Sequence, residues 1–380
     1  MKYNTIGSSG LEASVIGLGT EFLYDASEKT IDETVNTAID RGVNVLDMVV
    51  PSASMREKVG RAIKGKRDKL IIHGHIGSTD LNKQFDVSRH LPTVKKYFEG
   101  LLKALNTDYI DIGILFLIDN DEEFAKVFES DILEYALDLK SKGVLRTLGA
   151  SSHNTATAAR MVNTGLIDLL MFPVNPAHDI MDADRDGVDV SKDFYQGVNI
   201  ANSARADLYR LCESKNVAIS AIKPFASGKL LSKDFTPFAK PMSVSQCLHY
   251  CLTRAGVANV LAGCASAQEV IGCCEYLAAS EKDKDFTSII STMKESFEGS
   301  CVYCNHCEPC PVNIRIAGVN QSLDVALLNE NSIPDYVIKK YAALEAHGGD
   351  CIACGKCEER CPFSVQIIEN MRKASGLFGY

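Results

Sequence analysis

Along the first ~280 residues, apolar positions follow two alternating rhythms, short unbroken runs and longer stretches with a helical repeat. The runs predict β-strands over 15–18, 45–47, 70–75, 110–116, 148–151, 169–174, 217–223 and 260–263. The longer stretches predict helices over 31–41, 88–105, 133–142, 155–163, 204–214, 244–253 and 267–277. Gly42, Gly143 and Gly165 each follow one of these helices, where a left-handed residue closes the last turn. Eight strands alternating with helices predict an α/β fold, a (β/α)8 TIM barrel in preference to an open parallel sheet.

Residues 281–296 predict one more amphipathic helix, and after Glu298-Gly299-Ser300 the chain turns rich in Cys, Pro and Asn. This shift divides the sequence into a barrel over 1–297 and a small domain over 298–380. About eighty residues cannot build a large apolar core, so such a domain needs metal or disulfide staples.

Composition narrows the function classes. A net charge of −9 and the lack of any Lys/Arg cluster argue against nucleic acid and anionic membranes as partners. No apolar run reaches the length of a membrane span, and the first residues lack a basic-then-apolar leader, so a cytoplasmic location is expected. The chain has 14 cysteines, none before Cys212 and eight after residue 300. Without a secretion signal, that number points to metal chemistry.

The eight late cysteines form two arrays. Cys301, Cys304, Cys307 and Cys310-Pro311 make the first; Cys351, Cys354, Cys357 and Cys361-Pro362 make the second. The second has the spacing C-x2-C-x2-C-x3-C-P of bacterial ferredoxins, and the first is one residue shorter before its last cysteine. Three closely spaced thiolates can wrap one cubane, while the fourth reaches the other cluster. The spacing therefore assigns Cys301, Cys304, Cys307 and Cys361 to one [4Fe-4S] cluster, and Cys351, Cys354, Cys357 and Cys310 to a second. Zinc knuckles also use C-x2-C, but four close cysteines ending in Cys-Pro, twice over, weigh against zinc. The gap pattern of plant-type [2Fe-2S] proteins is absent. His306 reads as a solvated or hydrogen-bonding residue, and Cys212, Cys247, Cys251, Cys264, Cys273 and Cys274 read as small core residues.

Several stretches resemble the aldo/keto reductase family. They are 3–20, the run Gly143-Val-Leu-Arg146-Thr-Leu-Gly149-Ala-Ser151, Val174-Asn175-Pro176, Lys223-Pro224-Phe225 through Leu230, and Ala262-Gly263. The resemblance extends into the cysteine arrays and is similar to an iron–sulfur branch of that family, which implies a C-terminal bacterial-ferredoxin-like domain with two [4Fe-4S] clusters. It further implies a catalytic tetrad of Asp, Tyr, Lys and His. Here the matching positions hold Asp47, Ser52, His75 and Phe116. A serine hydroxyl is far weaker as an acid than tyrosine, which puts the family's usual carbonyl reduction in question.

The same resemblance places Ser151, Asn175, Lys223, Gly263 and Ser266 at the cofactor site, with Ser152 where the family has asparagine and Glu269 where it has a basic or amide residue. NAD(P)H and FMN both stay open. Nicotinamide moves electron pairs whereas clusters pass single electrons, so a flavin would connect the two. Asp47, His75 and Ser52 are the candidate catalytic residues. The expected function is an oxidoreductase that relays electrons between a ferredoxin or another carrier and a barrel-bound cofactor and small organic substrate. Two rivals stand beside it: an NAD(P)H-dependent carbonyl reductase with structural clusters, and a non-catalytic electron-transfer or redox-sensing protein.

Overall fold

Eight parallel strands close on themselves in the order in which the chain lays them down. The computed structural model describes residues 1–81, 86–180, 204–236, 238–286, 289, 299, 301, 307–328, 333, 335–361 and 364–380. An N-terminal hairpin, β1 (Tyr3–Ile6) and β2 (Leu11–Ser14), precedes the barrel. The chain continues through β3 (Ile16–Gly19), β4 (Val45–Met48) and β5 (Ile71–Ile76), then a small antiparallel pair, β6 (Ser78–Thr79) and β7 (Asp86–Val87). Then come β8 (Ile110–Leu115), β9 (Leu145–Ser151), β10 (Leu169–Pro173), β11 (Ala218–Ile222) and β12 (Val257–Gly263). β12 pairs with β3 through Val260–Ile16 and Gly263–Gly19, which closes the barrel. All eight strand expectations coincide with barrel strands.

Side chains alternate across each strand, as the pleat requires. Val45, Ile71, Ile112, Ile114, Leu169 and Met171 share the inner core, while Leu46, Ile72, Leu115 and Leu170 pack outward with the helices. Burial on both faces is why the strands read as unbroken apolar runs. Ile6, Leu11 and Ala13 of the hairpin join the inner core and shut the end of the barrel where the strands begin.

The outer helices sit where the helical rhythm puts them, with shifted edges. The first spans Glu28–Asp40 with Ser27 as its cap, and the second expected span begins at Leu91. Gly42, Gly143 and Gly165 have φ of 82°, 74° and 70°, the left-handed closures expected of them. Among the barrel helices of eight residues or more, Ala53–Ala62 and Asp121–Phe128 lie outside the sequence expectation. The first buries only two large apolar side chains, Met55 and Val59, and the second is eight residues long, so neither shows a sustained apolar stripe. Of the helix expected over 281–296, the described part forms Glu281–Lys284; 287, 288 and 290–296 lie outside the described residues.

After residue 300 the described elements are helical: Ile316–Leu328, Asp335–Ala342, Lys356–Glu359 and Ile367–Phe378, with a short 3-10 turn at Gly348–Asp350. They share an apolar cluster of their own, separate from the barrel cores, built from Ile314, Val319, Leu323, Tyr341, Ile367 and Met371. Among the described residues, no helix is long and apolar enough to cross a membrane.

Candidate active site

The strand alternation that builds the inner core also aims polar side chains along the same axis. On β4, Val45 faces inward, so Asp47 does too; on β5, Ile71, His73 and His75 share that face. Asp47 and His75 meet at 2.6 Å between Oδ1 and Nε2, both buried. Thr20 steadies the strand here by donating its hydroxyl to the Asp47 carbonyl at 2.6 Å. Phe116 stands edge-on to the His75 ring, with centroids 5.1 Å apart, and closes that side to water. A histidine locked to a carboxylate in a dry pocket can take up or release a proton in a fixed direction.

His73 lies deeper on the same face and was not singled out in the sequence, although its period-two relation to His75 carried the signal. It is fully buried, its Nδ1 stands 3.7 Å from Asp47, and neither ring nitrogen has a hydrogen-bond partner. Burial pushes its pKa down to about 4, against the pull of Asp47.

Lys223 follows β11 directly, with its backbone in the left-handed region at φ 55°. Asn175 holds it there, donating its amide to the Lys223 carbonyl at 2.9 Å. Ser151 at the end of β9 accepts the Leu117 N–H at 2.7 Å, fixing the loop after β8. Burial raises the Glu21 carboxyl above its usual range, Lys223 opposes this and Asp47 adds to it. Glu21 thus belongs to the same charged rim, and no sequence rhythm marks it.

A second acid–histidine pair stands at this end. Asp119 accepts the His153 backbone N–H at 2.6 Å and lies 3.0 Å from its Nδ1, with the Ser152 hydroxyl at 3.2 Å. Burial alone would raise the Asp119 pKa, but His153 and Ser152 hold it at about 2. Burial, and then the Lys223 charge, lower that of His153.

The remaining barrel candidates have structural partners. Ser52 caps helix Ala53–Ala62, accepting the Met55 N–H at 3.4 Å. Ser266 caps Ala267–Cys274 in the same way, through Glu269 N–H at 3.4 Å. The Glu269 carboxylate takes the Ala265 N–H at 2.7 Å, so a carboxylate already sits at this helix start. At Gly263 a β-carbon would come within 2.5 Å of the Phe22 ring, so the missing side chain makes room for that aromatic.

Among the late cysteines, Cys310, Cys351, Cys354 and Cys357 line one small enclosed cavity, walled further by Ile314, Ile316 and Met371. Cys301, Cys307 and Cys361 pack around the neighbouring apolar cluster. Cys304, His306 and Pro362 lie outside the described residues. Among the described residues, no group of three or more His, Cys, Asp or Glu side chains is gathered so as to hold a metal ion. Cys212, Cys247, Cys251, Cys264, Cys273 and Cys274 are all buried, as small core residues should be.

Comparison with known proteins bears on the barrel. The family model described as "Aldo/keto reductase family" matches residues 15–292. Aldo-keto reductase YhdN of Bacillus subtilis (strain 168) is 32% identical over 162 residues, 40% of this chain and 47% of that protein. An uncharacterized oxidoreductase, YrpG, of the same organism is 26% identical over 34% of this chain and 44% of its own length. The chain thus spans less than half the length of these curated relatives. Among solved structures, the holo form of aldo-keto reductase AKR11C1 from Bacillus halodurans superposes with a TM-score of 0.60 at 20% identity, covering 78% of this chain and 98% of that one, a likeness of fold.

Proposed function

The chain belongs to the aldo/keto reductase family of oxidoreductases, and from that premise we propose that it relays single electrons through two [4Fe-4S] clusters to or from a substrate at the barrel rim. The observation that carries this reading is the cavity lined by Cys310 together with Cys351, Cys354 and Cys357. Cys310 comes from the other array, and the exchange of fourth cysteines is what the ferredoxin spacing demands. A cubane separates its thiolates more widely than a single ion does, which suits four cysteines around a cavity. When bound, the clusters would supply one-electron transfer.

The barrel residues handle protons and orientation. Asp47 fixes the His75 ring, and His75 exchanges a proton with the substrate. Phe116 keeps water from that exchange. Lys223, held by Asn175, offers a positive charge to an anionic group of a substrate or cofactor. The Glu269 carboxylate at the helix start disfavours a phosphate there, which weighs against NADPH and against an FMN phosphate in that seat. Electrons would come from a ferredoxin or a similar carrier in the cytosol.

Purification under strict anaerobiosis tests this. The expected result is about eight irons per chain with matching acid-labile sulfide, and His75→Ala should lose about 100-fold or more in turnover at unchanged iron content. Zinc in place of iron, or full turnover in His75→Ala, would defeat the corresponding half of the proposal. A second reading, an NAD(P)H-dependent carbonyl reductase with structural clusters, is favoured by the family match across the whole barrel. Tight NADH binding, with substrate reduction that persists without any electron carrier, would establish it instead.

A further inference from the structure

Lys223 is held more firmly than a surface lysine needs. Its carbonyl accepts the Asn175 amide at 2.9 Å and the Ala226 N–H at 3.0 Å. Lys223, Ala226 and Ser227 have φ of 55°, 46° and 56°, three non-glycine residues in the left-handed region within one turn. Strain of this kind gathers where a side chain has to be presented. The Lys223 charge acts on Glu21, His153 and His178, which follow three different strands, β3, β9 and β10. A charge felt from three sides stands over the barrel mouth.

Glu21 faces it across the end of β12. Strands β11 and β3 flank β12, two strand spacings or about 10 Å apart, which a lysine and a glutamate side chain span together. The turn Glu21–Leu23 is pinned at both ends: the Thr20 hydroxyl donates to the Asp47 carbonyl at 2.6 Å, and Leu23 is buried in the outer core. Between these anchors Glu21 stays partly open to solvent, and Phe22, 57% exposed, sets its ring against Gly263. The neighbouring charges are already engaged. Asp47 meets His75 at 2.6 Å with His73 behind, Asp119 holds His153, and Arg205 pairs with Asp179 at 2.8 Å. Burial holds His153 and His178 towards their neutral forms. Burial also raises the Glu21 carboxyl, Lys223 pulls it back and Asp47 adds to the rise, so its charge depends on what Lys223 faces.

We propose that the barrel mouth binds a monocarboxylate with an aromatic or apolar body, its carboxylate on Lys223, its body against Phe22, and Glu21 taking up a proton as it arrives. The inference deepens the reading of Lys223 given above and needs neither cluster. The ligand's negative charge, and the water it displaces, both work against an ionised Glu21, so the glutamate gains a proton from solvent. One ammonium beside Asp47 suits a single negative charge, whereas a dianionic phosphate would be repelled. By linkage, affinity falls as pH rises past the point where Glu21 ionises in the unliganded protein.

Calorimetry on the full-length, anaerobically purified protein tests this with benzoylformate, in pairs of buffers that differ in ionisation enthalpy. Expected over roughly pH 5–8 is net proton uptake on binding, with affinity falling by up to tenfold per pH unit. Glu21→Gln should abolish the uptake and, near pH 8, bind at least about tenfold more tightly than the wild type, a gain that misfolding cannot mimic. Lys223→Met should lose about tenfold or more in affinity, and Lys223→Arg should keep it. Methyl benzoylformate, the uncharged ester, should bind with no proton uptake. Uptake that persists in Glu21→Gln overturns the inference while leaving the Lys223 reading in place. Failure of the wild type to bind benzoylformate, or undiminished affinity in Lys223→Met, removes both. Benzylamine binding more tightly than benzoylformate, and weakened by Glu21→Gln, would make the mouth a cation site instead. None of these readouts depends on iron, so the cluster proposal stands or falls separately.

Discussion

The barrel and the segment after residue 300 solve the same problem with different materials. Barrel strands bury aliphatic side chains on both faces, and its two main cores are made mostly of Val, Ile, Leu and Phe, with Ala, Met and five scattered cysteines filling the gaps between them. The later segment has one small core, and Cys307 and Cys357 belong to it, with Cys301, Cys310, Cys351 and Cys361 packed against its edge. Apolar burial suffices for the first region. In the second, cysteines make up a much larger share of a much smaller core, so the proposed clusters would carry a large part of its stability.

The largest effect expected from this contrast is on removal of iron by a chelator. Ile316–Leu328 and Ile367–Phe378 should lose amide-exchange protection, a loss on the order of 10 kcal/mol as for structural metals in small domains, while the barrel strands keep theirs. Helices that stay protected without iron would erase the distinction. Next, Phe172→Ala empties a fully buried barrel site beside Tyr209 and should cost about 3–5 kcal/mol in urea unfolding, with iron content intact. Concurrent iron loss would show that the two regions unfold as one.

A smaller effect concerns pH. His73 has a folded pKa of about 4 against 6.5 in the unfolded chain. Between those values the unfolded state binds a proton that the folded state refuses, so stability falls as pH drops from 6.5 towards 4, by up to about 3 kcal/mol. His73→Gln should flatten that part of the barrel's urea-midpoint profile; an unchanged slope would clear His73. The smallest effect is at a cap: Ser266→Ala should cost about 1 kcal/mol, read as a shift of a few degrees or less in the barrel's melting temperature.

The same contrast governs what the sequence revealed. Barrel strands were legible because two-sided burial writes unbroken apolar runs, and helix ends at Gly42, Gly143 and Gly165 because φ there demands glycine. The Asp47–His75 contact followed from resemblance, since strand neighbours β4 and β5 align Asp47 with His73 and leave His75 one step further. Glu21, Asp119 and His153 escaped notice because they come from loops and strand ends that converge only when the barrel closes. Ser266 was placed at the cofactor site by resemblance, but its partner Glu269 closes the helix start from within, a reciprocity visible only once both side chains are placed. The two barrel helices of eight residues or more that went unforeseen, Ala53–Ala62 and Asp121–Phe128, are too short or too polar to print a period.

The hairpin that stoppers the barrel has a consequence for traffic. With Ile6, Leu11 and Ala13 sealing one end, the described residues leave Asp47 and His75 to be approached from the opposite mouth, the end at which Pro309, Arg360 and Cys361 share a cleft with Asp119 and His153. A molecule seated in that cleft would therefore share the open end with whatever approaches Asp47 and His75.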